Sequence, residues 1–137
     1  MGQQQLLLII LGVIVVGIAV AVGITMFTDN AVSANRDAVT NDLVNLASRA
    51  QQYYRRPASM GGGEGSFVGL SADVAGLQKL TSKPRNSNGR YWIETAGSAT
   101  QVVLHAMGRE VAGPGATDTV EIQMTVKSDS ATANVIH

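Results

Sequence analysis

Leu6–Phe27 reads LLLIILGVIVVGIAVAVGITMF, 22 residues with no charged side chain and with Thr25 as the one polar side chain. At about 1.5 Å per residue a helix of this length covers roughly 33 Å, enough to cross the ~30 Å hydrocarbon layer. Helix is also the one single-segment structure that satisfies its own backbone there. The stretch is therefore expected to be a membrane-spanning helix, whatever else it later packs against. Its large side chains, Leu6, Leu7, Leu8, Ile9, Ile10, Leu11, Val13, Ile14, Val15, Val16, Ile18, Val20, Val22, Ile24, Met26 and Phe27, are the candidate contacts with lipid or with other copies of the chain.

Upstream, Met1-Gly2-Gln3-Gln4-Gln5 contains no Lys or Arg, whereas a secretory signal opens on a basic region. The apolar run also exceeds the usual signal core, so a conventional signal peptide is not expected, although Val32-Ser33-Ala34 has the small-residue pattern of a weak cleavage site. Downstream, ten Lys and Arg balance ten Asp and Glu, and all of them lie from Asp29 onward. That balance argues against nucleic acid as a partner. Cysteine is absent, which removes disulfides and thiolate metal sites. The division expected is a hydrophobic helix over residues 1–28 and one small domain over 29–137, with amphipathic helix at 29–56 and sheet at 91–136.

Past Phe27 a helical period continues through Val32, Val39, Leu43, Leu46, Ala50 and Tyr53. No Pro or Gly interrupts Ile24–Arg56, so one helix of about 50 residues is expected to end where Pro57 restricts Arg56. Val39, Leu43, Leu46, Ala50 and Tyr53 form the face predicted to meet a sheet. Asp29, Asp37 and Asp42, with Arg49, Arg55 and Arg56, read as a solvated face. The glycine-rich ASMGGGEG of 58–65 reads as a flexible crossover, because no Lys-Ser or Lys-Thr follows to make a phosphate loop. Ser71–Leu80 offers Ser71 as a cap and Val74, Leu77 and Leu80 at helical spacing. Asn88-Gly89 is the sharpest turn signal. Strands are expected at Tyr91–Ala96, Thr100–Met107, Thr119–Val126 and Thr132–Ile136, separated by Gly97-Ser98, by a long connection holding Gly113-Pro114-Gly115, and by Ser128-Asp129-Ser130. In the third, Val120, Ile122, Met124 and Val126 alternate with Thr119, Glu121, Gln123 and Thr125, as in an antiparallel sheet packed on one side. The fold class expected is α+β, a long N-terminal helix packed on about four antiparallel strands.

Chemistry is sparse. His105 and His137 have no metal-ligand spacing, no G-x-S-x-G occurs, and His105 alternates with apolar residues as a sheet-surface side chain would. Glu94, Glu110 and Glu121 show no local reason to meet. Neither an enzyme nor a cofactor or metal is expected. Tyr53-Tyr54 and Tyr91-Trp92 hold four of the six aromatics, and one of each pair is expected in the core, the other free for a neighbouring subunit.

An uncharged start, an apolar helix running into an amphipathic half, a glycine loop and a small terminal sheet together resemble the layout of type IV pilins and pseudopilins. The resemblance covers the whole chain. It implies a precursor held in the inner membrane, cleavage of a short leader after a glycine by a prepilin peptidase, and delivery by a pilus assembly machinery into an extracellular helical homopolymer. Gly2 and Gln3 would then flank the processing site, or Met1 would itself be the first mature residue. The chain departs from the family in having no glutamate fifth from either start, where Gln5 or Leu7 stands. It has no proline near the twenty-second position and no C-terminal cysteine pair. The glutamine-rich start is also similar to some archaeal pilins and flagellins, whose domains are often larger sandwiches. Two other readings remain open at this point, a secretion-system pseudopilin and a permanent single-pass protein displaying a small binding domain. For the second, Gly12, Gly17 and Gly23 would be sites of close helix approach, but their spacings of five and six miss the small-xxx-small pattern.

Overall fold

A computed structural model describes residues 2–113, 115 and 117–137. Pro114 of the long connection and Met1 as a candidate first residue lie outside the described residues. The chain forms two compact units, one ending at Ala31 and one running from Val32 to His137. Helix α1 spans Gly2–Arg55, 54 residues, with no proline or cap in its interior. Within the apolar half the one polar side chain is hidden in the usual way: Thr25 Oγ1 donates to Ala21 O at 3.0 Å, one turn back.

The end of α1 shows why the glycine loop follows it. A helix leaves its last carbonyls without amide partners, and here the loop supplies them. Gly63 N–H donates to Tyr53 O at 2.8 Å, Gly65 N–H to Tyr54 O at 2.7 Å and Glu64 N–H to Arg56 O at 3.0 Å. A Cβ on Gly63 would lie 1.8 Å from Ser66 O, so the fold-back admits no side chain there. The expectation of a flexible crossover is thus corrected to a tied C-terminal cap. Its amides are spent on carbonyls, which leaves no cradle for an anion.

The short helix α2, Val74–Gln78, sits inside the stretch expected, but Asp73 caps it rather than Ser71. Asp73 Oδ1 accepts from Gly76 N–H at 2.7 Å, while Ser71 Oγ donates to the same oxygen at 2.6 Å. These two bonds, the Ser71 one foremost, hold the Asp73 pKa below the ordinary aspartate value. Leu77 and Leu80 are buried, and Val74 is exposed.

The four strands are β1 (Gly89–Thr95), β2 (Gln101–Val111), β3 (Thr119–Lys127) and β4 (Ala131–Val135), in the order β1-β2-β3-β4 and antiparallel throughout. This is the meander expected, with two irregularities that local sequence does not announce. Between Ile93↔Leu104 and Thr95↔Val103 the β1 strand carries Glu94 as an extra residue. Between Met107↔Glu121 and Val111↔Thr119 the β2 strand bulges, which is how it runs on to Val111 instead of stopping at Met107.

One core joins helix and sheet. Val39, Leu43, Leu46, Ala47, Ala50 and Tyr53 of α1 cluster with Tyr91, Ile93, Val102, Leu104, Ala106, Val120, Ile122, Met124 and Val126, and with Phe67, Leu70, Leu77 and Leu80 from the connection. The helix face predicted from the 3.6-residue period is therefore the face that packs, with Ala47 added. The alternation in β3 is also as read, all four apolar residues being buried. By contrast β4 has no buried residue.

Candidate assembly surface

In the unit ending at Ala31 the large apolar side chains have nothing against them. Every one from Leu6 to Phe27 is more than half exposed, from 53% at Ile14 and Val22 to 82% at Phe27. Burying a side chain of this size is worth about 1.5 to 3 kcal/mol, so the surface is unstable in water. This part of α1 is long and apolar enough to cross a membrane. A Cβ placed on Gly12, Gly17 or Gly23 would meet no atom of the chain within 4 Å, so nothing inside the monomer requires glycine at those positions. Gly2 is equally unhindered, and Gly2 and Gln3 are exposed in the first turn of α1.

In the second unit, polar staples bind α1 to what surrounds it, and they correct the solvated-face reading. Asn35, Asp42 and Arg49 recur every seven residues along one flank. Asn35 Oδ1 accepts from Arg109 N–H at 2.9 Å and Glu110 N–H at 3.3 Å, the amides that the β2 bulge releases from β3, while its Nδ2 donates to Asn88 O. Asp42 Oδ2 accepts from Tyr91 Oη at 2.5 Å and from Asn86 and Asn88 Nδ2 at 2.8 Å each. Burial opposes this carboxylate, but the bonds from Asn88, Tyr91 and Asn86 outweigh it and hold its pKa below the ordinary aspartate value. Burial, and then the bond to Asp42 and its charge, push the Tyr91 phenol well up. Arg49 Nη1 donates to Leu80 O at 3.0 Å. On the opposite flank Gln51 reaches Lys127 O and Arg55 reaches Ser128 O. Asp29 and Asp37 are exposed, as read. Among the described residues the buried Arg36 Nε has no hydrogen-bond partner.

On the outer sheet face the reading of His105 is half corrected. It faces outward, yet only 6% of it is exposed, because Trp92 stacks on the imidazole with centroids 4.5 Å apart. The bulged Glu94 and the β3 residue Glu121 flank it, at 3.1 Å from Nδ1 and 2.5 Å from Nε2. Neither contact has the geometry of an aligned hydrogen bond. Glu94 also accepts from Trp92 Nε1 at 2.8 Å. The structure thus brings together two of the three glutamates for which sequence gave no meeting point, and leaves Glu110 apart and exposed. Of the aromatic pairs, Tyr53 and Tyr91 are core as expected, with Tyr53 Oη donating to Val68 O. Their neighbours are partly exposed and also pack within the chain, Tyr54 on Phe67 at 4.8 Å and Trp92 on His105.

Among the described residues no group of three or more His, Cys, Asp or Glu is placed to hold a metal ion. Among the described residues the apolar surface of Leu6–Phe27 is the longest run of exposed large hydrophobic side chains. Compared with known proteins, the chain matches no family model, no curated protein and no solved structure.

Proposed function

We propose that this chain is the structural subunit of an extracellular, type IV pilus-like filament that polymerises through its N-terminal apolar helix. The supporting observation is the uninterrupted run of large apolar side chains from Leu6 to Phe27, each more than half exposed, on the helix that also forms the spine of the folded unit. Before assembly the membrane covers that surface; after assembly, copies of the same helix do. In the folded unit the polar networks at Asn35, Asp42 and Arg49 join α1 to the sheet and its connections. Processing between Gly2 and Gln3 by a prepilin peptidase, and export by a pilus assembly machinery, belong to the same proposal.

Electron microscopy of sheared cell-surface material, with mass spectrometry of the polymer, tests the reading. The expected result is filaments containing this chain, resistant to dilution and high salt because apolar burial holds them. Recovery of the chain only as a detergent-soluble monomer from the inner membrane, with none in the sheared fraction, would overturn the filament and leave a permanent single-pass anchor.

A further inference from the structure

We propose that the open edge of β4 pairs antiparallel with β4 of a second copy of this chain, the two strands meeting at Ala133 across a two-fold axis. The pairing involves the unit from Val32 to His137 alone and goes beyond the filament reading without resting on it. β4 ends the sheet, all five of its residues are exposed, and its register with β3 is continuous from Ala131 to Val135. The phase of that ladder is fixed at both ends. Lys127 N–H donates to Ser130 O at 2.8 Å and Ile136 N–H to Glu121 O at 2.9 Å. Bonded and non-bonded pairs alternate along an antiparallel ladder, so Thr132 and Asn134 spend their backbone groups on β3. Ala131, Ala133 and Val135 turn theirs to the open edge.

An edge of this kind is a template for another strand, and proteins blunt it with charges, prolines, bulges or a covering segment. The opposite edge of the sheet is blunted in this way. β1 carries Arg90, Glu94 and the irregularity at Glu94, and residues 84–86 run along its start, where Tyr91 N–H donates to Pro84 O at 2.8 Å and Arg85 bridges to Arg90. β4, with the sequence ATANV, has no charge, no proline and no break in register.

The pattern of β4 selects a copy of itself as the occupant. Centred on Ala133, the antiparallel register sets Ala131 opposite Val135, Thr132 opposite Asn134 and Ala133 opposite its counterpart. The outward-pointing backbone groups then face one another, giving about six hydrogen bonds, two from each of three pairs. The side chains sort as well. Ala131, Ala133 and Val135 stand beside the buried Val126, Met124 and Ile122, so they continue the inner face of the sheet, yet they are uncovered, Val135 at 51% exposure. In the pair these apolar residues meet one another, and Thr132 and Asn134 meet on the outer face. Two uncharged strands have nothing to repel, whereas a charged strand would find no counter-charge. Being two-fold, the contact closes on itself instead of propagating. In the proposed filament it would join subunits of two polymers side by side, where many weak pairs act together, rather than successive subunits of one.

The chain contains no cysteine, so one introduced thiol reports one contact. The test oxidises single-cysteine variants of the full chain in detergent with copper–phenanthroline, over a range of protein concentrations. A133C should give a disulfide-linked dimer. A131C alone and V135C alone should not, because four residues of strand, about 13 Å, separate each from its own counterpart, beyond the ~7 Å that a disulfide spans. A mixture of A131C and V135C should cross-link. Introducing A133K into both sets two lysines opposite each other and should lower that mixed cross-link about five-fold. The thermal midpoint should stay unchanged, since β4 has no buried residue. Absence of the A133C dimer at every concentration would overturn the proposal. So would cross-linking of A131C and V135C alone as readily as A133C, the mark of parallel pairing or random collision, or a mixed cross-link indifferent to A133K. Trapping of A133C only on other polypeptides in cell-surface material would assign the edge to a different strand and overturn it too. The A133C dimer forms or fails whether or not sheared material contains filaments, so the two readings fail separately.

Discussion

Asp42 is the residue on which most of the side-chain bonding between α1 and the β1 approach converges, and its chemistry makes a pH-dependent prediction. Three donors meet one carboxylate oxygen, so D42N removes the charge at nearly constant shape and should cost about 1 to 2 kcal/mol, the low end for bonds to a charged group because the site is partly solvated. The folded pKa lies below the unfolded value of about 3.9, so the unfolded chain takes up the proton first on acidification. The contribution of Asp42 is complete above about pH 4 and is lost as pH falls through the folded pKa. Thermal unfolding of the two proteins should therefore show a gap that is constant from pH 7 to 5 and closes toward pH 3. Asp73, depressed too, titrates equally in both and cancels. A gap unchanged at pH 3 would show that Asp42 does not stabilise the fold through its charge.

Among the elements, α1 and β3 were the most legible, because the information is local. A 3.6-residue period identifies Val39, Leu43, Leu46, Ala50 and Tyr53, and strict alternation identifies Val120, Ile122, Met124 and Val126, all buried together. The packing makes a paired prediction. Leu46 is 6% exposed while Asn45 next to it is exposed, so Leu46→Asp should destabilise the folded unit by more than about 3 kcal/mol, and Asn45→Asp by less than about 0.5. Chemical denaturation of the full chain in detergent reads the difference, and equal costs would refute the packing. What sequence concealed depends on partners far along the chain. Asp42 meets Asn86 across 44 residues, and Glu94 reaches His105 because of a bulge set by strand register. The C-terminal cap was hidden for a related reason: a glycine-rich composition says where a helix cannot continue, not that Gly63 and Gly65 turn back onto its carbonyls.

For the whole molecule, the proposed filament turns on what α1 would do if the membrane were exchanged for other copies. No proline lies between Leu6 and Arg56 to unwind the apolar half of the helix. Gly12, Gly17 and Gly23 each weaken a helix by about 1 kcal/mol relative to alanine. Opening the backbone in a dry core would instead leave amides and carbonyls unpaired at about 1 to 3 kcal/mol apiece, so several consecutive residues would cost more than the glycines concede. The continuous α1 of the monomer, Gly2–Arg55, agrees with that balance. Nor does the chain itself explain those glycines, whose missing side chains would touch nothing. At about 100° per residue, Gly12 and Gly23 fall within about 20° of one face, three turns apart, and Gly17 lies well away. A neighbouring helix is therefore expected to approach most closely along the Gly12 and Gly23 face, and α1 to stay helical from about Leu6 to about Arg55 with at most a bend at a glycine. A filament map at side-chain resolution decides this, and several consecutive non-helical residues between Gly12 and Gly23 would show that contacts between copies overcome the intrinsic preference of the helix.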